Sequence, residues 1–168
     1  MIDIKAFLII YITIGGIEME IERKFLVNSL PNLDNHKGKL VKQGYISTDP
    51  VIRIRKMDDL YTLSVKSKGH LVREEFELDL TPEQFEDLWE KVNDTYVSKT
   101  RYFIPLDSKH TAELDIYYEE LQGLYTVEVE FDSTRDAEKF IAPDWFGKDV
   151  THDSRYKNNH LAVYGLPR

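Results

Sequence analysis

The side chains in this sequence with chemical potential are carboxylates and strong bases, and they recur two residues apart. Glu20-Ile21-Glu22-Arg23-Lys24 opens the series, with Glu20, Glu22 and Lys24 at alternate positions. Residues two apart on a strand face the same way, so two acids and a base share one face. The same spacing pairs Arg53 with Arg55, Lys66 with Lys68, Arg73 with Glu75 and Glu77, Lys99 with Arg101, Glu113 with Asp115, and Glu128 with Glu130. Apolar residues fill the intervening positions, as in Ile52 and Ile54, Phe76 and Leu78, Leu114 and Ile116, Val127 and Val129. Eight acids and eight bases are arranged in this way.

Such faces have two uses. Turned to water, they are the polar side of an ordinary antiparallel sheet. Turned inward, they line a polar site, and dry unpaired ions there would cost several kcal/mol each. An inward set therefore needs water, mutual pairing and a charged ligand. The prominence of arginine favours the inward arrangement, because a guanidinium suits bidentate phosphate contacts better than mere solubility. The acids arrive as Glu-x-Glu and Glu-x-Asp, which supply hard oxygen donors of the kind that hold Mg²⁺ or Mn²⁺. The expected ligand is a polyanion held by the bases, with divalent cations on the carboxylates.

Strand-like segments dominate: 20–26, 38–47, 51–56, 60–66, 71–80, 97–104, 112–118 and 125–131. Turn signals at Asp49-Pro50, Met57-Asp58-Asp59, Gly69 and Gln122-Gly123 separate several of them. Thr81-Pro82-Glu83-Gln84 predicts a helix start, with Thr81 as N-cap and Gln84 closing a capping box. Phe85, Leu88, Trp89 and Val92 continue it as an apolar stripe. A short helix is expected over 133–140 and another from about residue 153 to residue 164. Eight alternating strands in one small domain favour a closed barrel, which removes exposed edges and at that size can hold a small ligand. The fold class is α+β, mainly β: an eight-stranded antiparallel barrel with peripheral helices.

Length and charge bound the rest. The 168 residues fit one domain, and 42% hydrophobic content is enough for a core. The net charge of −8 argues against nucleic acid as the main partner. There is no cysteine, which excludes disulfides, zinc thiolates and a cysteine nucleophile, and a reducing cytoplasm is the default setting. The apolar run 6–17 is shorter than the roughly 20 residues that cross a bilayer, and it lacks a clear cleavage site. Residues 1–18 are expected to be an extension outside a domain spanning 19–168, with Met19 able to serve as a start. An added strand or a membrane-associating tag is the competing reading.

Taken together, Glu20-x-Glu22-x-Lys24, Arg53-x-Arg55, Lys66-x-Lys68, Arg73-x-Glu75-x-Glu77, Lys99-x-Arg101, Glu113-x-Asp115 and Glu128-x-Glu130 resemble the signature of the CYTH superfamily, the triphosphate tunnel metalloenzymes. The short form opening MEIERKFLV is most similar to small bacterial members of the inorganic triphosphatase type. The resemblance implies an eight-stranded barrel forming a tunnel with a charged lumen, in which divalent metal assists hydrolysis of a triphosphate. Inorganic tripolyphosphate is the expected substrate. A class IV type adenylate cyclase and a thiamine triphosphatase are the alternatives within the enzyme class, and a non-catalytic polyphosphate or nucleotide-triphosphate binding module is the alternative outside it.

On that resemblance, Lys24, Arg53, Arg55, Lys66, Lys68, Arg73, Lys99 and Arg101 are the substrate-binding candidates. Glu20, Glu22, Glu75, Glu77, Glu113, Asp115, Glu128 and Glu130 are the metal-side candidates. Lys24, Glu22 and Arg55 are the catalytic ones. Partners are a triphosphate-bearing small molecule, with no nucleic acid or membrane; a homodimer stays open. His36, His70, His110, His152 and His160 show no ligand spacing along the sequence. Arg155 and Lys157 lie in a segment resembling the helix that closes one tunnel mouth, and either reach substrate or face solvent.

Overall fold

The alternation of charged and apolar residues is satisfied by rolling the strands into a barrel with its charged face inside. The computed structural model describes residues 17–167, so the apolar run up to residue 16 and the expected extension up to that residue lie outside the described residues. Nine strands form one antiparallel sheet: β1 (Glu18–Val27), β2 (Lys39–Thr48), β3 (Val51–Met57), β4 (Leu60–Lys66), β5 (Val72–Asp79), β6 (Tyr96–Pro105), β7 (Thr111–Tyr117), β8 (Tyr125–Glu130) and β9 (Phe146–Asp149). Their order is β5-β4-β3-β2-β6-β7-β8-β1-β9, and β5 pairs back onto β1 to close eight strands into a barrel. β1 begins one residue before Met19, with Glu18 opposite Glu75.

β1 closes the barrel by dividing its length between two neighbours. Its first half, Glu18 to Ile21, pairs with β5, and its second half pairs with β9 on that side while β8 follows Glu22 to Leu26 on the other. The strand β9 is not anticipated by period-2 reading, because Phe146-Gly147-Lys148-Asp149 is short and does not alternate. It forms where β5 leaves the edge of β1 uncovered.

The intervening apolar positions face outward; helices cover part of them, while Leu40, Phe76 and Leu78 stay exposed. α1 (Pro82–Trp89) starts with the expected capping box: the Gln84 amide donates to Thr81 Oγ1 at 3.2 Å and the Thr81 amide donates to Gln84 Oε1 at 2.9 Å. The helix ends at Trp89 rather than running to Val92, but Val92 still packs with Phe85 against Ile54 of β3. The contact is close: a side chain at Gly44 would come within 2.6 Å of Val92 and 2.9 Å of Trp89. α2 (Thr134–Lys139) is capped by Ser133, and Ala137 joins the largest cluster, with Phe25, Leu114, Val127, Val129, Phe131 and Phe146.

The C-terminal segment differs from the single helix expected. A 3₁₀ turn at Ser154–Tyr156 is followed by extended backbone at Lys157 (φ −68°, ψ 139°) and then α3 (Asn158–Tyr164). Asp153 starts the turn by accepting from the Arg155 amide. α3 lays Leu161 against Val97, Tyr117, Leu121 and Leu124, with Leu26 beside them. Val97, Tyr117 and Leu26 carry the inward parity of Lys99, Asp115 and Lys24, so this cluster stops one end of the barrel with apolar side chains. The Tyr117 hydroxyl donates to Asn158 Oδ1 at 2.6 Å and fixes the stopper in place. Leu161→Ala removes a side chain only 2% exposed and should cost about 2–5 kcal/mol, measured as a lower urea midpoint at unchanged m-value.

Candidate active site

The barrel encloses a cavity of about 290 Å³. Thirteen of the sixteen sequence-predicted residues line it: Glu20, Glu22 and Lys24 from β1, Arg53 and Arg55 from β3, Lys66 from β4, Arg73, Glu75 and Glu77 from β5, Arg101 from β6, Glu113 from β7, and Glu128 and Glu130 from β8. Closure of the barrel converges these residues from seven strands. Three candidates are placed elsewhere. Lys68 lies beyond the end of β4, 85% exposed, and pairs with Asp49. Lys99 and Asp115 are in the barrel wall at 1% and 0% exposure and do not line the cavity.

Opposite charges are matched along the register. On one side, Lys24 donates to Glu128 at 2.9 Å, and Arg101 reaches the other oxygen of Glu128 at 2.7 Å. Arg101 also grips Asp115 with two bonds of 2.7 Å and contacts Glu113. Behind it, Lys99 donates to Asp115 at 2.6 Å. Asp115 is thus a positioning residue, locking the Arg101 guanidinium that faces the lumen. On the other side, Lys66 binds Glu20 at 2.7 Å and Glu75 at 3.1 Å, while Arg73 lies 2.9 Å from Glu20 and 2.7 Å from Glu22. Arg53 and Arg55 approach Glu75 and Glu77 at 3.4 Å, and Arg53 donates to Ser64 at 2.8 Å.

This pairing sets the protonation states. Burial opposes ionisation of Glu20, but Lys66 and Arg73 outweigh it and hold its pKa at about 2. Burial likewise works against Glu128, and Lys24 and Arg101 keep it well below the usual carboxylate range. For Lys24 burial favours the neutral amine, yet Glu128 overrides it and raises the pKa, so Lys24 stays an ammonium at neutral pH. Glu18, Glu22, Glu113 and Glu130 go the other way, each raised with burial as the largest cause. Burial, then Glu20 and Glu128, push Glu22 up to about 7. Burial, then Glu113, Glu20 and Glu22, push Glu130 up to about 8. Glu22 and Glu130 stand directly opposite each other across β1 and β8, the arrangement in which like charges destabilise a sheet. Among the described residues Glu130 has no ion-pair partner.

The donor chemistry fits a hard divalent cation at that point: two carboxylates face each other, with Arg73 on Glu22 alone, and their repulsion is what a cation would relieve. Among the described residues no three acidic or imidazole groups are already gathered at metal-ligand spacing. The physical reason is visible in the pairs above, since Glu20, Glu75, Glu77, Glu113 and Glu128 are turned towards lumen bases.

Several lining residues escape a search for paired charges. Gln43 and Tyr45 of β2 line the cavity, with Gln43 Nε2 donating to the Tyr45 hydroxyl at 2.8 Å. Burial raises Tyr45 to about 12, which keeps its proton in place. Gln-x-Tyr is a polar pair two apart, so a test of polarity rather than charge would have found it. Phe103, His70, Thr151, Lys157 and Asn158 also line the cavity. Lys157 donates to the Gly69 carbonyl, so it faces the lumen end. Arg155 pairs with Asp153 at 2.7 Å outside the main cavity.

Two substitutions separate the matched and unmatched charges. Asp115→Asn leaves Lys99 and Arg101 buried with one counter-charge fewer and should destabilise the fold by about 3–5 kcal/mol, read from chemical denaturation. Glu130→Gln should raise Tm. Because the folded pKa of Glu130 lies above its ordinary 4.5, the folded state holds the proton more tightly, and wild-type stability is lost as pH rises through about 8. The Tm gain of Glu130→Gln should therefore grow from acidic to alkaline pH, and a gain independent of pH would contradict the assignment.

The chain is similar to known proteins over most of its length. No protein-family model matches it. It is 44% identical over 147 residues to an inorganic triphosphatase of Nitrosomonas europaea, covering 86% of this chain and 97% of that one. It is 32% identical over 146 residues to an inorganic triphosphatase of Acetivibrio thermocellus, covering 84% and 92%. A crystal structure of an inorganic triphosphatase superposes with a TM-score of 0.66 at 39% identity, covering 88% of this chain and 97% of that one. Sharing nearly the whole length of these relatives and the fold of the solved one, the chain belongs to the inorganic triphosphatase family.

Proposed function

We propose that this protein hydrolyses inorganic tripolyphosphate inside its barrel, with divalent metal. The observation that carries the reading is the lumen itself: five bases, Arg53, Arg55, Lys66, Arg73 and Arg101, surround one cavity with Lys24 beside them. That is the donor set a chain of phosphates needs, and the similarity to inorganic triphosphatases supports it.

The lumen bases are held by carboxylates at hydrogen-bond or ion-pair distance. A triphosphate competes for the same guanidinium and ammonium donors. Phosphate oxygens on Arg53, Arg55, Lys66 and Arg73 release Glu20, Glu22, Glu75 and Glu77 from those bases. Glu22 and Glu130, with Glu20 and Glu128 flanking them, are the residues we assign to Mg²⁺ or Mn²⁺. When bound there, the cation polarises phosphorus–oxygen bonds and lowers the pKa of water. The chain's own residues do the remainder. Phosphoryl transfer asks the protein chiefly to position and neutralise. Arg55 and Arg101 approach from separate strands, and Lys24, kept charged by Glu128, stabilises negative charge on the phosphate beside it. Water forms the new bond to a terminal phosphorus, the bridging P–O bond breaks, and orthophosphate and pyrophosphate leave.

The chain has no cysteine, and no described helix is long and apolar enough to cross a membrane. We place the protein in the cytoplasm, acting on a small molecule.

The direct test is phosphate release from tripolyphosphate, ATP and thiamine triphosphate, each with Mg²⁺ and with Mn²⁺. Rapid release from tripolyphosphate is expected. Cyclic AMP from ATP would replace the reading with a cyclase, and strong thermal stabilisation by tripolyphosphate without release would replace it with a binding module. Glu22→Gln should abolish metal-dependent release while the fold is retained. Arg55→Ala should raise KM for tripolyphosphate about tenfold or more, the loss of one charged hydrogen bond; an unchanged KM would exclude Arg55 from the cradle.

A further inference from the structure

We propose a second cation site, distinct in chemistry from the carboxylate lumen, between His70 and His152: a two-imidazole site for a borderline transition-metal ion such as Ni²⁺, Cu²⁺ or Zn²⁺. His70 lies in the loop between β4 and β5, and His152 lies just after β9, so far apart in sequence that spacing along the chain gives no sign of them. The fold brings their rings to 5.8 Å between centres, tilted at 48°. Two imidazoles on one tetrahedral ion, with metal–nitrogen bonds of about 2.0–2.1 Å, place their ring centres roughly 5–6 Å apart.

The surroundings prepare the rings as ligands. Burial, then Lys157 and His152, lower the pKa of His70, against a contribution from the Thr151 main chain that raises it. Lys157 itself is engaged with the carbonyl of Gly69, the residue before His70. His152 opens into a surface depression shared with Asp149 and Asp153, and Asp153 also borders the main cavity. Fewer than three acidic or imidazole groups gather here among the described residues, so the protein would supply two ligands and water would have to supply the rest.

Ligand type separates the two sites. Imidazole suits Zn²⁺, Cu²⁺ and Ni²⁺, whereas carboxylate oxygen suits Mg²⁺ and Mn²⁺, so a lumen saturated with Mg²⁺ leaves the histidine pair available. An ion there ties the loop after β4 to the segment that leads into the C-terminal stopper. It would staple shut the end of the barrel that Lys157 and Asn158 border.

The test is thermal unfolding of the full chain in saturating Mg²⁺ with Ni²⁺ added. Wild type should gain about 5 °C or more in Tm at a hundredfold excess over the dissociation constant. His70→Ala and His152→Ala, both at exposed positions, should each lose that gain while keeping the Tm seen with Mg²⁺ alone. Cu²⁺ EPR gives a readout independent of stability: superhyperfine coupling to two nitrogens in wild type and to one in either variant. A Ni²⁺ shift of equal size in the double variant, or no shift in wild type, would overturn the proposal.

Discussion

Charge matching inside the barrel is the constraint on which the rest of this structure depends. Lys24, Lys66, Arg53, Arg101 and Glu128 are each less than a tenth exposed, and unpaired ions at such depth would cost several kcal/mol apiece. The sheet register supplies the compensation. Lys24 stands opposite Glu128, Glu20 opposite Arg73, Arg101 opposite Asp115 and Lys66 opposite Glu75. A slip of one residue in any of these pairings would send the charged set outward and the isoleucines, leucines and valines into the lumen. The ion pairs thus specify register as much as they stabilise it, and register in turn decides which bases meet in one cavity.

That matching is incomplete where acids stand opposite acids, at Glu18 and Glu75, at Glu113 and Glu128, and at Glu22 and Glu130, and the last pair is the informative one. Glu22 and Glu130 face each other across β1 and β8, held up at about 7 and about 8 by burial and by the acids around them. A fold selected only for stability would place a base at one of these positions, as it does two residues along, where Lys24 meets Glu128. Repulsion retained at Glu130, a lumen carboxylate without an ion-pair partner among the described residues, marks a site where stability yields to binding. This physical asymmetry, rather than any gathered cluster of ligands, is what directs the proposed cation to Glu22 and Glu130.

Much of this was legible in the sequence because both periodicities and charges were unusually regular. All eight barrel strands follow from alternation, and Thr81 and Gln84 announced the capping box before α1. Most of the lumen followed as well, since strand parity states which side chains share a face once one of them is known to be inside. Parity does not state depth. Lys99 and Asp115 obey the same period as Arg101 and Glu113 but stand deeper in the wall, behind Arg101, and Lys68 obeys the period of Lys66 but falls past the end of its strand. β9 was invisible because it owes its existence to the uncovered half of β1, not to its own pattern. Tyr45, Gln43, Phe103 and the histidine pair were missed for a related reason: their positions depend on closure and on loop packing, which no local window contains.

The two ends of the barrel are built from opposite materials, and this gives the lumen a direction. At one end Leu161, Val97 and Tyr117 make an apolar plug, locked by the Tyr117–Asn158 hydrogen bond. Lys157 and His70 lie at that border. Towards the other end the cavity reaches Glu18, Met57, Glu77 and Phe103. An apolar stopper cannot solvate a phosphate chain, so a polyanion must enter and leave through the charged end. The stopper also keeps water from flooding the deepest charges, where the fully buried Asp115 holds both Lys99 and Arg101. Low local dielectric strengthens each ion pair there, so the rigidity of Arg101 is greatest where the lumen is driest. A substrate arriving from the open end therefore meets progressively more fixed cations as it advances, and the barrel positions its ligand by the same closure that makes it fold.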